Sequence, residues 1–337
     1  MYMEQIKNSI FASNSIKMKR FLVVLVCALA LNSCDDGDLT VDSVDLGTAV
    51  TKSCSNNNVI YKLNKQEALL LEIPSASFAN EPTVDGNPTL IEINNTAIRV
   101  VYRFYNGLVT SDNICSTIPP ATPIVTNQWT TNSGKVQITT TAVKTTNALD
   151  NSTRITAYNH NITFKNITFI KSNGTQVYET FPFGDYVTAA NSLPFGFDKI
   201  LEQCSSSKQI YNYTSSEALT LDIDPALIVN AVTPLNTPRT GLIGTSTNKL
   251  TYRLYSNGVL TPSYFCTIPI PSLPTVSEEW NGMAGVSTIS GIIEVTTTTN
   301  GPNSFKHTIV LKKASLQKGN SNFSLGDSYL YGDLLTY

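Results

Sequence analysis

The sequence predicts an all-β chain built from two tandem β-sandwich units, and three observations predict it. The first is composition. Of 337 residues, 42 are Thr, 32 Ser and 32 Asn, while only 14% are charged, against roughly a quarter in an average soluble protein. Thr, Val, Ile and Tyr suit a pleated, half-buried surface; Thr and Asn disfavour helix interiors. The second is short runs of alternating apolar and polar residues punctuated by turn residues. The third is a duplication that splits the chain into two lengths of normal domain size. Hydrophobic residues make up 41%, enough for a core, which excludes a disordered polymer. A formal charge of −2 argues against bulk electrostatic binding to nucleic acid.

The chain opens on an address. Met18-Lys19-Arg20 is a basic head, followed by an apolar run over residues 21–31. That run is too short for the roughly 20 residues a bilayer-crossing helix needs and has the length of a signal-peptide core. Residues 1–17 fit no signal region, which makes Met18 a candidate start. Leu31-Asn32-Ser33-Cys34 follows. It resembles the lipobox of bacterial lipoproteins, with Asn32 standing where a small or β-branched residue is usual. The resemblance implies cleavage after Ser33, so 1–33 is the expected signal peptide. Cys34 is then the expected lipid-attachment site, and 34–53 the tether. The acidic cluster Asp35-Asp36-Gly37-Asp38 resembles the surface-export signal of Bacteroidetes lipoproteins, which implies the outer face of the outer membrane. A solvated acidic tether is the plainer reading of the same residues. Loss of 1–33 removes four basic residues and Glu4, leaving the mature chain at −5.

The duplication is ungapped at first. Residues 54–73 match 204–223 at an offset of 150: Cys54 with Cys204, Tyr61 with Tyr211, Glu67-Ala68-Leu69 with Glu217-Ala218-Leu219. Further on, Tyr102-Arg103-Phe104-Tyr105 answers Tyr252-Arg253-Leu254-Tyr255. Cys115 answers Cys266, Trp129 answers Trp280, His160 answers His307, and Phe183-Gly184-Asp185 answers Tyr331-Gly332-Asp333. The expected units are therefore 54–188 and 204–337, with 189–203 as the connection. One interleaved domain is the alternative arrangement.

Within each unit, 98–105 and 250–255 are expected strands. Asn106-Gly107 and Asn257-Gly258 are expected hairpin turns, since both residues tolerate positive φ, with the partner strand starting at Leu108. Residues 136–143 and 292–299 are Thr-rich strands; 154–169 and 305–316 read as a long strand or a hairpin. Asn64 with Glu67 and Thr214 with Glu217 have capping-box spacing, yet Leu219-Thr220-Leu221-Asp222-Ile223 alternates cleanly and favours a strand. Tyr102, Tyr105, Tyr252 and Tyr255 are expected on one core-facing side, with Arg103 and Arg253 opposite. Regular short strands point to immunoglobulin-like sandwiches.

Six Cys divide by place. Cys27 lies in the leader and Cys34 is the lipid site. The remaining four allow three pairings; the duplication favours Cys54 with Cys115 and Cys204 with Cys266, in a compartment that permits disulfides. Free thiols and a metal site are the alternatives, the latter opposed by the absence of close Cys/His spacing.

No nucleotide, metalloprotease, nucleophile-elbow or calcium-loop motif is present. His160 and His307 are the only histidines; each is either a repeated ligand or acid/base group or a strand residue bonded to its neighbours. Trp129 and Trp280 follow the Pro-rich stretches 118–123 and 268–274. They are candidate stacking platforms for a sugar or peptide, or else core residues between two sheets. The unit pattern resembles that of duplicated surface lipoproteins of Bacteroidetes, and the layout more distantly that of starch-binding lipoproteins. This implies a non-catalytic, outer-membrane, cell-surface binding or adhesion module for an extracellular glycan or protein, with no cofactor, no metal and no nucleic-acid partner. A structural envelope lipoprotein without a small ligand is the alternative, and a hydrolase the third reading.

Overall fold

The computed structural model describes residues 44–337. The expected signal peptide, Cys34 and the acidic cluster lie outside the described residues. Leu46–Tyr337 forms one compact unit, and it is all-β, with two curled sheets of eight and eleven strands.

The first copy contributes β1 (Lys52–Ser53), β2 (Val59–Asn64), β3 (Glu67–Glu72), β4 (Thr89–Glu92), β5 (Arg99–Tyr105), β6 (Val125–Thr146), β7 (Thr153–Lys171) and β8 (Gly174–Ala189). Their order is β1-β2-β3-β5-β6-β7-β8, with β4 beside β6. The 69–73 question resolves as strand: β3 pairs with β2 and β5 in continuous antiparallel register. Asn106-Gly107 ends β5 but makes no two-residue hairpin. The chain detours through a short helix, α1 (Ser111–Cys115), and returns 20 residues later as β6, Tyr105 facing Val125. The reason is local. The Asn106 side chain accepts from the Ile124 amide at 2.9 Å, which holds the far end of the loop, and the Thr110 amide donates to Asn113 Oδ1 at 2.9 Å, which starts the helix where a strand was expected.

The second copy repeats the plan with β9 (Ile200–Gln203), β10 (Ile210–Tyr213), β11 (Glu217–Asp222), β12 (Arg239–Leu242) and β13 (Lys249–Ser256), then α2 (Pro262–Cys266). From there its strands are broken. Where the first copy has three long strands, the second has six: β14 (Thr275–Gly282), β15 (Ile292–Thr299), β16 (Phe305–Lys312), β17 (Ser315–Lys318), β18 (Ser321–Ser324) and β19 (Ser328–Thr336). The first break is an insertion. Val136 lies seven residues after Trp129, whereas its counterpart Ile293 lies thirteen after Trp280. The first copy makes the same crossing by bulges on either side of Ser133, and Gly134 is needed there: its φ is +128°, and a Cβ would stand 2.8 Å from the Ile167 Cα. The second break falls at Lys313, whose φ of 46° matches the 49° of Asn166 at the same place in β7.

The sandwich core of the second copy draws on both of its layers. Leu219, Leu250, Tyr252 and Trp280 meet Val295, Ile309, Leu311 and Tyr331 in one cluster. Tyr331 spans it, its hydroxyl donating to the Leu219 carbonyl at 2.8 Å. The corresponding Leu69, Val100, Tyr102, Trp129, Ile162, Phe164 and Phe183 are likewise buried. Tyr102 and Tyr105 turn out to face opposite sides, since strand side chains alternate. Tyr105 packs outside the sheet with Cys54, Tyr61, Ala68, Leu70 and Val109, a satellite core covered by the α1 turn, and Tyr255 does the same beside Tyr264.

Residues 189–203, expected as a plain connection, are built into the second copy. β9 pairs with both β10 and β19, and the Phe195 ring stacks on Tyr252 at 4.4 Å. The copies also touch directly. The Arg154 guanidinium, from the first copy, lies 4.6 Å over Phe195 and 5.3 Å over Phe323. Tyr158 bonds Ser321 at 3.0 Å, and the Asp327 amide donates to the Asp150 carbonyl at 2.7 Å.

Candidate functional site

Four sets of residues recur in both copies, and the geometry of each defines what it can do. The disulfides are the first. Cys54 bonds Cys115 and Cys204 bonds Cys266, each with Cα atoms 5.3 Å apart and sequence separations of 61 and 62. Each ties the helical turn to the chain entering β2 or β10 and fixes one end of the loop that follows.

The tryptophans are the second. Trp129 is 1% exposed and Trp280 4%, so neither offers a ring face to a sugar or peptide, and the stacking-platform reading is corrected. The cause is register: Trp129 stands opposite Tyr102, and Trp280 opposite Tyr252, on the inward side of the sheet. Lys171 and Lys318, at matching positions, hold their ammonium groups 4.9 and 5.7 Å over these rings. Trp280 donates to Glu278 at 2.9 Å. Burial alone would raise the Glu278 carboxyl pKa, but bonds from Asn191 and Trp280 and the Lys318 charge bring it below the usual range.

The histidines are the third. Both are fully buried, and both ring nitrogens meet threonine hydroxyls. Nδ1 of His160 is 2.8 Å from Thr140 and Nε2 is 2.9 Å from Thr188; His307 has Thr297 and Thr336 at the same distances. The Thr188 hydroxyl donates onward to Asn80 at 2.7 Å, and that of Thr336 to Asn230 at 2.6 Å. Those hydroxyls must therefore accept from Nε2–H, which leaves Nδ1 accepting from Thr140 or Thr297. The network assigns the neutral Nε2–H tautomer in both copies. Burial lowers both pKa values, and the Arg239 charge lowers that of His307 further. An imidazole with both nitrogens engaged and no carboxylate behind it is a structural pin, not a proton shuttle.

The fourth set pairs a carboxylate with a tyrosine. Tyr102 donates to Glu67 at 2.5 Å and Tyr252 to Glu217 at 2.7 Å. Glu67 is half-buried, whereas Glu217 is 1% exposed and also accepts from the Phe195 and Gly196 amides at 2.9 and 2.7 Å. Burial, then the Glu217 bond, pushes the Tyr252 hydroxyl well above its usual pKa. Among the described residues no three His, Cys, Asp or Glu side chains converge as a metal site would require.

What the sequence reading missed lies on the surface. The β5–β6 connection exposes Leu108 at 70%, Ile118 at 87% and Ile124 at 55%; the β13–β14 connection exposes Val259, Ile268, Ile270 and Leu273 to similar degrees. These loops contain the Pro-rich stretches 118–123 and 268–274. No known family, curated protein or solved structure gives a significant match to the chain. The class that fold and site define is thus an all-β, disulfide-stapled tandem sandwich.

Proposed function

We propose that this is a non-catalytic outer-membrane lipoprotein, anchored through Cys34 and displayed on the cell surface, that binds an extracellular protein partner through its two aliphatic loops. The observation carrying this reading is the repeated exposure of large apolar side chains on the β5–β6 and β13–β14 connections. Each loop is held at its base by a disulfide and a short helix. Leu108 and Ile118 in the first loop have exposed apolar counterparts, Val259 and Ile268, in the second, and a repeated apolar presentation of this kind suits an interaction surface. They favour a protein over a glycan, since sugar rings stack on aromatic faces and both tryptophans are buried. Two tethered loops would also gain from avidity. The non-catalytic part of the reading rests on the histidines being engaged in internal bonds.

The test is residue-specific photocrosslinking on intact cells, with the crosslinker at Ile118 or Ile268 and, as control, at Thr163 on a strand. A discrete protein adduct from the loop positions and none from the control is expected. Crosslinks equal at all three, or high-affinity hits on a glycan array, would overturn it. Cys34→Ala should release the protein from the membrane, and proteinase added to intact cells should remove the parent.

A further inference from the structure

The two copies also differ at a groove that both possess. In the second copy it is a cleft of about 1050 Å³ whose walls include Leu201, Ile223, Ile228 and Leu334. In the first copy the matching hollow measures about 350 Å³ and is walled by Ile60, Ile73, Phe78 and Tyr186. Phe78 is the counterpart of Ile228 and Tyr186 that of Leu334. The two rings meet edge to face at 4.8 Å, and Phe78 lies 5.2 Å from His160. Two aromatic side chains thus stand in one copy where two aliphatic ones, Ile228 half-buried and Leu334 buried, stand in the other. The surroundings are otherwise kept: His307, Thr336 and Asn230 repeat the network of His160, Thr188 and Asn80, and Asn230 and Thr336 line the open groove.

The groove opens where two strands part. β19 and β9 run parallel and pair at Asp333 with Ile200 and Leu334 with Leu201, and pair no further. Beyond that fork Glu202 and Gln203 line one side and Leu335 and Thr336 the other. The outer edges of these strands are already taken by β10 and β16. An extended segment entering the fork would run beside two strand edges, the geometry of β-strand addition. The rim carries Glu202, Lys208 and Tyr337; its two charged side chains are of opposite sign, so it favours neither an acidic nor a basic segment.

We propose that the groove between β9 and β19 binds an extended, uncharged peptide segment and seats one aromatic side chain of it in the space that Phe78 and Tyr186 fill in the first copy. The site is separate from the aliphatic loops and stands or falls without them. The ring supplies most of the selectivity, because burying a large apolar side chain is worth about tenfold or more in affinity.

The test is a titration of the full chain, methyl-labelled at Ile and Leu, with the blocked peptide acetyl-Val-Phe-Val-amide. Acetyl-Val-Ala-Val-amide and p-cresol are the controls. Saturable shifts at Ile200, Ile228, Leu334 and Leu335 are expected, at least about tenfold tighter for the Phe peptide than for the Ala peptide. Ile228→Phe with Leu334→Tyr, which copies the filled twin, should abolish them. Phe78→Ile with Tyr186→Leu should create a second set at Ile60 and Ile73. If the filled variant misfolds, seen at remote methyls such as Ile138, Leu334→Tyr alone gives the same reading. Equal binding of the Phe and Ala peptides, unchanged binding by the filled variant, or p-cresol binding as tightly as the Phe peptide would each overturn the proposal.

Discussion

The first copy of the unit is drawn with long strands and the second with short ones, yet their interior contacts are nearly the same. β6, β7 and β8 each run through both layers of the first sandwich; the second copy interrupts all three and still places Trp280, His307 and Tyr331 where Trp129, His160 and Phe183 stand. What has been held fixed is the set of side chains that must be satisfied indoors. What has drifted is how the main chain gets from one layer to the next. The copies also differ in isolation. Glu217 is sealed by the 189–203 segment through two backbone amides, while Glu67 is left half-buried.

The disulfides offer the largest way to break this comparison. Each closes a loop of about 60 residues, and loss of either is expected to cost about 4 kcal/mol in the chain-entropy account. Urea titration of the Cys54→Ser/Cys115→Ser and Cys204→Ser/Cys266→Ser variants should give matching losses and one shared transition, because Arg154 and Tyr158 bind the copies together. Two resolved transitions would show that the copies unfold independently.

A smaller and asymmetric effect is expected at the carboxylates. Glu217→Gln places an amide donor against three donors in a buried site and should cost about 2–3 kcal/mol, whereas Glu67→Gln should cost under about 1 kcal/mol. Equal losses in the same titration would mean that the seal over Glu217 adds nothing.

The smallest effect is a pH slope. Both histidines are neutral in the folded chain with pKa values lowered by burial, while the unfolded chain takes up protons below about pH 6.5. The unfolded state then binds more protons, so stability is lost as pH falls from about 6.5 towards the folded values. His160→Gln and His307→Gln should each flatten this slope. Burial is the main cause for both, with the Arg239 charge adding to it for His307. A pH-independent midpoint in the parent between pH 7 and 5 would remove the argument.

Much of this was legible in advance, for physical reasons that can be named. Offset matching exposed the duplication and with it the pairing of Cys54 with Cys115. The strand at 69–73 was readable from alternation in its twin. The detour after Asn106 was not, because a two-residue turn and a loop closed by one asparagine side chain look alike until Ile124 is seen to bond it. Trp129 misled as a surface candidate because its loop is exposed while its strand register turns the ring inward. The threonine pins on His160 lie 20 and 28 residues away and carry no local pattern at all; only the repeat of Asn80 as Asn230 could have hinted at them.

The fork at β9 and β19 has one further consequence, for time. Ile200 pairs with Asp333, so this side of the second sandwich closes only after the 132 intervening residues have found their places. Contacts of such long range are slow to form. Until β19 arrives, β16 and β9 each present a bare strand edge, the kind of surface on which chains stick to one another. A chain with this order of events spends its most vulnerable interval just before completion, and a lesion in residues 328–336 would prolong that interval more than the same lesion in β1.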